Sequence, residues 1–464
     1  MIKPAIIVPL VVASGLFLEN LDGTVLATSL PAMAKDLGQD PIQLKLVFTS
    51  YLLSLAVFIP VSGWCADRFG ARNVFRIAMA IFTLGSLGCA FSSSLSGFIL
   101  ARIIQGMGGA MMTPVGRLIV LRSVPRSELV QAMAWLTIPA LIGPVMGPVV
   151  GGFITTHFHW RWIFWMNLPI GILGIVLATI FIEKAPRQKD TLLDWKGLFL
   201  SGFGMASVVT GITIFGQDLL PNSAVIGVII AGLAMLFTYW RHARGLTNAI
   251  LDLSLFQIPT FRSAALGGLL FRIGMGATPF LLPLMLQVVF GMNALQSGLL
   301  TFSLAVGAFA MKFTAASILK RFGFRQILLW NSFFGAISLA ALGFIGAETA
   351  HLVIYGLLLI GGFLRSLQFT SLNTLVYADV PAEKLSAATS LSAVMQQLST
   401  SVGVAIGAIT LESLRSMRGE MGLLQSDFTI AFVIVAFIAL ASVLVHLPLK
   451  PEAGKEVSGH GRSV

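Results

Sequence analysis

The chain has 464 residues, of which 56% are hydrophobic and 11% are charged. Soluble globular proteins average about 25% charged residues, so this composition excludes a soluble globule and indicates a membrane protein with several spans. The formal net charge of +11 does not indicate nucleic-acid binding, because the basic residues fall in alternate loops between apolar segments.

Apolar windows of about 20 residues, the length that a membrane helix needs, occur fourteen times along the chain. They lie near residues 6–30, 45–65, 73–92, 97–121, 130–155, 162–183, 196–216, 223–240, 260–286, 296–319, 327–346, 351–378, 386–411 and 427–448. Most Lys and Arg residues share one side of the membrane if the N-terminus is inside, so we predict that both termini are cytoplasmic. The predicted fold class is an all-α polytopic membrane protein with fourteen transmembrane helices.

Two loops of similar sequence mark an internal repeat. They are Asp67-Arg68-Phe69-Gly70-Ala71-Arg72 and Lys320-Arg321-Phe322-Gly323-Phe324-Arg325. Each loop follows the second apolar window of a block of six, which predicts two pseudo-symmetric six-helix bundles.

The repeat defines the predicted domains. The N-terminal bundle covers residues 1–183 and the C-terminal bundle covers residues 260–448. Residues 184–259 hold two further windows and are predicted to be a linker with two extra transmembrane helices. Residues 449–464 are polar, and we expect them to form a disordered cytoplasmic tail.

One apolar segment carries glycines at four-residue spacing. Gly143, Gly147 and Gly151 would lie on one face of a helix, where a stripe without side chains favours close approach of a second helix. The same segment contains Pro144, Pro148 and Gly152. Because proline frees carbonyl groups inside a helix, we predict a hinge at this seam. The alternative is a packing stripe without a mechanical role.

Two carboxylates lie within the first apolar window. Glu19 and Asp22 are three residues apart and therefore share one helix face. Repulsion between two close carboxylates in a low-dielectric cavity favours protonation of one of them, which a proton carrier requires. Two alternatives remain open: Asp22 acts only as a salt-bridge partner, or Glu19 lies in a water-filled cavity and titrates normally.

The fourth window offers a partner for Asp22. Arg102 lies at a similar membrane depth, so an ion pair is possible, and its approach or withdrawal would time proton release. A purely structural pair remains the alternative. Gln105, one turn further along, is expected to line the same cavity as a polar group.

The first repeated loop is expected to act as a gate. Asp67, Arg68 and Arg72 lie at the cytoplasmic surface, where Asp67 can accept hydrogen bonds from an arginine such as Arg117 or cap a helix N-terminus. Such contacts would close the cytoplasmic side. The topology rule alone explains the two loop arginines but leaves Asp67 without a role.

The C-terminal half carries cations inside its spans. Arg272, Lys312 and Arg365 lie within apolar windows in which no Asp or Glu occurs before Glu412. Embedded cations need acids, carbonyls, water or substrate as partners, so an anionic, zwitterionic or amphiphilic substrate is admitted. Four neutral polar residues of the same half are further substrate-cavity candidates, with helix–helix hydrogen bonding as the alternative: Gln368, Asn373, Gln396 and Gln397.

Five segments of the chain resemble signatures of the major facilitator superfamily. They are residues 21–31, 63–72, 100–106, 143–152 and 160–171. The second to fourth segments are similar to its loop motif after helix two, its helix-four motif and its antiporter motif on helix five. The first and last resemble signatures of its fourteen-helix drug:proton antiporter branch. The resemblance covers the whole chain and implies a transporter of two six-helix bundles.

We therefore expect a proton-coupled secondary exporter of a small amphiphile, working by alternating access in a bacterial-type inner membrane. We expect a monomer that uses the proton gradient, needs no cofactor and binds no nucleic acid. One alternative is a dedicated exporter of an anionic or zwitterionic metabolite or lipid-like molecule. The other is a sensor or enzyme on a transporter scaffold, but the sequence offers no P-loop or nucleophile, and His157 and His159 alone make a weak metal site.

Overall fold

The computed structural model describes residues 4–38, 41–184, 192–215, 221–246, 248–292, 294–346, 348–419 and 422–460. Within these ranges the secondary structure is helical and no strand occurs. Eleven helices of the described part are long and apolar enough to cross a membrane. The exact number of fourteen spans remains a prediction.

The first of two compact units comprises residues 1–214, 218–253 and 381–394. Its helices are α1 (Pro4–Leu37), α2 (Pro41–Phe58), α3 (Ser62–Phe69), α4 (Ala71–Phe91), α5 (Leu95–Ser123), α6 (Leu129–His157), α7 (Trp162–Trp165), α8 (Asn167–Phe181), α9 (Trp195–Ile214) and α10 (Asn222–Ala243). Helix α1 packs against α5, α6 and α8, which places Asp22 inside the unit.

The inserted helices α9 and α10 belong to this first unit and are not a separate body. They pack against each other through glycines: a Cβ atom added at Gly232 would lie 2.8 Å from the carbonyl oxygen of Gly204. Gly202 of α9 approaches α2 in the same way, 2.8 Å from the carbonyl oxygen of Val57. Small residues therefore attach the insertion to the bundle.

The second unit comprises residues 215–217, 254–380 and 395–464. Its helices are α11 (Pro259–Arg262), α12 (Gly268–Gly276), α13 (Thr278–Leu284), α14 (Ala294–Leu342), α15 (His351–Leu375), α16 (Leu385–Arg418), α17 (Gln425–His446) and α18 (Lys455–Ser458). The first residues of α16, up to Val394, belong to the first unit. Two π-helical turns, at residues 263–267 and 285–289, flank α12 and α13.

The two repeated loops share a backbone feature that explains their glycines. Gly70 has φ of 86° and Gly323 has φ of 72°, values that residues with a Cβ atom rarely adopt. Gly323 interrupts α14 in the same place at which Gly70 separates α3 from α4. The sequence repeat is therefore also a repeat of local structure.

The C-terminal tail differs from the expected disorder as far as residue 460. Helix α18 lies in it, and Leu449 and Val457 are buried. The Nδ1 atom of His460 is 3.0 Å from the carbonyl oxygen of Lys320. The segment packs against α14 through α18.

Candidate functional site

The centre of the first unit is an ion pair between α1 and α5. A guanidinium nitrogen of Arg102, Nη1, lies 2.6 Å from Oδ2 of Asp22. Both residues are buried, with 0% and 5% of their surface exposed. Burial removes the water that would screen the pair, so its geometry must satisfy both charges internally.

Two amides complete the shell around the Asp22 carboxylate. Gln105 of α5 and Asn167 of α8 each donate to Oδ1 at 2.9 Å. Both amides also donate to Oγ of Ser86 on α4, at 2.7 and 2.9 Å. Gln105 is fully buried in this network beside Arg102 and Asp22, and its role as a polar group lining a cavity stays a prediction. Two amides and a guanidinium thus donate to the Asp22 carboxylate and fix its position.

Arg102 has further contacts that fix its position. Its Nη1 atom donates to Oε1 of Gln105 at 2.6 Å, and Nε donates to the carbonyl oxygen of Val47 at 3.4 Å. The guanidinium also lies over the ring of Tyr51, 4.4 Å from its centroid. Within the described residues, Nη2 is buried without a hydrogen-bond partner. The site is therefore tight but incompletely satisfied.

Close packing of α4 on α5 brings the network together. A Cβ atom added at Gly85 would lie 2.6 Å from Cα of Gln105, and one at Gly108 would lie 3.0 Å from Cα of Phe82. Only glycine permits this backbone separation. Gln105 can consequently reach Ser86 directly.

Glu19 has different surroundings from Asp22. It is half-buried, and Oγ1 of Thr113 donates to its Oε2 at 2.9 Å. Within the described residues this is its one hydrogen bond, and Arg117 interacts with it electrostatically. The expected contact of Arg117 with Asp67 is therefore wrong, because Arg117 is buried inside the unit.

The gating loop uses another arginine. Nη2 of Arg122 donates to Oδ1 of Asp67 at 3.0 Å, and the Ser386 hydroxyl donates to the other carboxylate oxygen. Arg72 donates to the carbonyl oxygen of Thr179 at 2.5 Å, and Arg68 is exposed. Asp67 thus joins α3 to the end of α5 and to the start of α16.

The glycine seam of α6 packs directly on α1. A Cβ atom added at Gly147 would overlap the Thr24 hydroxyl and lie 2.6 Å from Thr24 Cβ, and one at Gly143 would lie 3.0 Å from the backbone nitrogen of Leu21. The contact thus flanks Asp22 on the helix that carries it. A Cβ atom added at Gly152 would meet nothing within 4 Å, so Gly152 takes no part in this contact with α1.

Further along, α6 remains close to α1 beyond Gly147. The hydroxyls of Ser29 and Thr155 are 2.7 Å apart, and the Thr155 hydroxyl donates to the carbonyl oxygen of Gly151. The side chains of Pro144 and Pro148 lie outside the described residues. The hinge at this seam remains a prediction.

In the second unit, polar residues meet around one aromatic ring. Arg272 and Arg365 place their guanidinium carbons 5.6 and 5.3 Å from the ring centroid of Phe369. Nη2 of Arg272 donates to Oδ1 of Asn373 at 2.8 Å, and Gln396 donates to the same oxygen at 3.4 Å. The structure thus brings together four of the residues predicted to line a substrate cavity: Arg272, Arg365, Asn373 and Gln396.

Gln368 forms hydrogen bonds between helices, the alternative that the sequence left open for it. It is fully buried, donates to Oγ of Ser332 at 2.7 Å and accepts from Nδ2 of Asn331 at 3.2 Å. These bonds join α15 to α14. Gln397 is half-exposed. Lys312 is buried and donates to Thr370 at 2.8 Å.

The sequence reasoning missed several residues of these sites. Asn167 donates to Asp22, and Ser86 accepts from the two amides that surround Asp22. Thr113 donates to Glu19, and the ring of Phe369 lies beside the guanidinium groups of Arg272 and Arg365. Asn167 could have been found, because it is an amide within an apolar segment already matched to a signature. A lone serine, threonine or phenylalanine gives no such signal.

Comparisons with known proteins agree with one another. A family model described as Major Facilitator Superfamily matches residues 12–404, with a second match at 264–463. The putative multidrug resistance protein MdtD of Pectobacterium atrosepticum is 37% identical over 448 residues, which are 96% of each chain. The protein of the same name from Escherichia coli SMS-3-5 is 35% identical over 98% of this chain and 97% of its own.

Two solved structures share the fold at 15% sequence identity. The human organic anion transporter MFSD10 aligns with a TM-score of 0.70 over 96% of this chain and all of its own. The proton:xylose symporter XylE aligns with a TM-score of 0.67 over 98% of each chain.

Proposed function

This chain belongs to the major facilitator superfamily, and from that membership we propose that it exports an amphiphilic, drug-like compound in exchange for protons. It is a membrane transporter rather than an enzyme, and its bacterial relatives are named multidrug resistance proteins. Alternating access is the mechanism that two repeated bundles support.

The different surroundings of two acids on α1 carry the proposal. Asp22 is enclosed by Arg102, Gln105 and Asn167, which occupy both of its carboxylate oxygens. Glu19 is half-buried and receives one described hydrogen bond, so it can gain and lose a proton. In this proposal Glu19 carries the proton, and the Asp22 network holds α1 in place.

Substrate and proton would compete through Glu19. A neutral Glu19 suits a low-dielectric cavity, whereas an ionised Glu19 attracts the nearby Arg117 and any cationic part of a ligand. Binding of substrate at one side would therefore release the proton, and its return at the other side would reset the carrier. This exchange requires no cofactor other than the proton gradient.

We further propose a monomer in a bacterial-type inner membrane with both termini in the cytoplasm. The chain has several apolar helices and bacterial relatives. The distribution of Lys and Arg supports the orientation, since cytoplasmic loops carry the excess of these residues.

Glu19→Gln should abolish substrate-induced proton release while leaving substrate binding in place. Purified protein in weakly buffered detergent solution is mixed with three naphthalene compounds, a quaternary ammonium, an uncharged amide and a sulfonate, and a pH indicator reports the released protons. Wild-type protein should release protons with at least one compound. Glutamine keeps the hydrogen bond to Thr113 but cannot titrate.

Glu412→Gln is the matched control, because Glu412 is exposed near the end of α16 and pairs with Arg415 at 3.6 Å. This variant should release protons as the wild type does. Undiminished proton release by the Glu19 variant would contradict the assignment of Glu19. Absence of release from wild-type protein that binds a compound would contradict proton exchange itself.

A further inference from the structure

Helix α15 presents a half-exposed polar stripe. Arg365, Phe369 and Asn373 follow one another at four-residue spacing and share one helix face. All three are half-buried, as Glu19 is, whereas Leu352 and Ile360 of the same helix are exposed apolar side chains suited to lipid. We name the stripe and the adjoining Arg272 and Gln396 the Arg365 face.

Arg365 forms no ion pair with the acids of the second unit that the structure describes. The described acids of that unit lie in loops, at helix ends or in the tail: Glu348, Asp379, Glu412, Asp427, Glu452 and Glu456. Two of these acids bond to neighbours of their own: Asp427 to Arg418 at 2.6 Å and Asp379 to Thr260 at 2.9 Å. The charge of Arg365 is therefore without a counter-charge in the described part of the second unit.

Arg365 differs in this respect from its counterpart in the first unit. Arg102 and Gln105 have the same three-residue spacing as Arg365 and Gln368. Each pair lies in the fourth apolar window of its repeat, on α5 and on α15. Both glutamines donate to a serine of the preceding helix. Arg102 has Asp22 as its counter-charge, but Arg365 forms no hydrogen bond or ion pair among the described residues and contacts the ring of Phe369.

From this juxtaposition we infer that the Arg365 face binds an aromatic anion, with the acidic group of the ligand on Arg365 and its ring beside Phe369. The inference rests on the proposed export function and names the substrate class: amphiphiles that carry a carboxylate or sulfonate. A planar guanidinium matches the two oxygens of such a group. The half-exposed phenyl ring supplies apolar contact for the rest of the ligand.

Binding of 2-naphthalenesulfonate to Arg365→Gln should be at least about tenfold weaker than to wild-type protein. The dissociation constants are measured by calorimetry on full-length protein in lipid nanodiscs, without a proton gradient. A naphthyl compound with a quaternary ammonium group in place of the sulfonate should bind the variant as well as the wild type or better, because the repelling charge is removed.

Arg321→Gln is the matched control, since Arg321 also lies over a phenyl ring, 5.4 Å from the centroid of Phe322, but in the loop after the second window of its bundle. It should bind both compounds as wild type does. Arg365→Lys keeps the charge and should still prefer the sulfonate over the ammonium compound, which preserves the test if the glutamine variant does not fold.

The inference would be overturned if wild-type protein did not bind the sulfonate, or if Arg365→Gln bound it as tightly as wild type does. It would also be overturned if Arg365→Gln lost affinity for the sulfonate and the ammonium compound equally while its unfolding temperature stayed unchanged. None of these results bears on proton exchange, which is measured separately by proton release. Conversely, wild-type protein could bind the sulfonate without releasing protons on binding any compound. That result would overturn the proposal of proton exchange but not the inference that the Arg365 face binds an anion.

Discussion

Asp22→Asn should destabilise the folded protein by about 3 to 5 kcal/mol, because it leaves the buried guanidinium of Arg102 without its counter-charge. The asparagine oxygen can still accept from Gln105 and Asn167, so the loss is chiefly electrostatic. Thermal unfolding of purified protein, followed by tryptophan fluorescence, should show a large fall of the midpoint. Transport should fall with it, since α1 loses its fixed position.

The control is an ion pair of the same length at the surface. Nη1 of Arg161 lies 2.6 Å from Oδ2 of Asp36, but 27% and 37% of these side chains are exposed. The hydrogen bond from Arg161 lowers the pKa of Asp36 below its usual value, so the control pair is also ionised at neutral pH. Asp36→Asn should cost less than about 1 kcal/mol, because water screens the exposed charges.

A double-mutant cycle separates the pair from its surroundings. Arg102→Gln alone should also be strongly destabilising, and the two substitutions together should cost clearly less than their sum. Additive effects, or equal effects of the buried and the exposed aspartate variants, would show that Asp22 and Arg102 do not stabilise each other. Such a result would contradict the proposal that Asp22 holds α1 in place.

The sequence was sufficient for the features that depend on helix depth and face. Membrane depth alone suggested that Asp22 and Arg102 could meet, and four-residue spacing placed Gly143 and Gly147 on one face. The partner of that face, α1, could not be derived, because neither periodicity nor composition states which helices are neighbours. For the same reason the contact of Asn167 with Asp22 was not predicted, since the two residues are 145 positions apart on different helices.

Choices between nearby residues of one type failed for a related reason. Arg117 and Arg122 both follow the helix-four motif, but residues five apart point in different directions, and only the tilt of α5 decides which one reaches Asp67. For Gln368 the sequence could not choose between a cavity and a helix–helix contact, because an amide in a span indicates a need for hydrogen bonds and not their source. Ser332 and Asn331 on α14 supply them.

Gly147→Ala should block transport, although it adds a single methyl group. The new Cβ atom would overlap the Thr24 hydroxyl and lie 2.6 Å from Thr24 Cβ, so α1 and α6 must separate. Rotation of Thr24 gives little relief, because its hydroxyl already donates to the carbonyl oxygens of Asn20 and Leu21 at 3.0 Å. Overpacking of this kind costs about 1 to 3 kcal/mol, and Gly147→Leu should be worse.

Gly152→Ala is the control for a glycine of α6 that does not contact α1, since a Cβ atom at Gly152 meets nothing within 4 Å. This variant should transport normally, measured as export of the compounds that release protons from the wild type. Thr24→Gly combined with Gly147→Ala moves the glycine to the opposite helix and should restore part of the transport, at a cost of about 1 kcal/mol for glycine in α1. Because the clash is local to two side chains, recovery by the swap would assign the defect to separation of α1 from α6. Equal transport by the Gly147 and Gly152 variants would instead mean that the seam tolerates a wider helix separation and does not position Asp22.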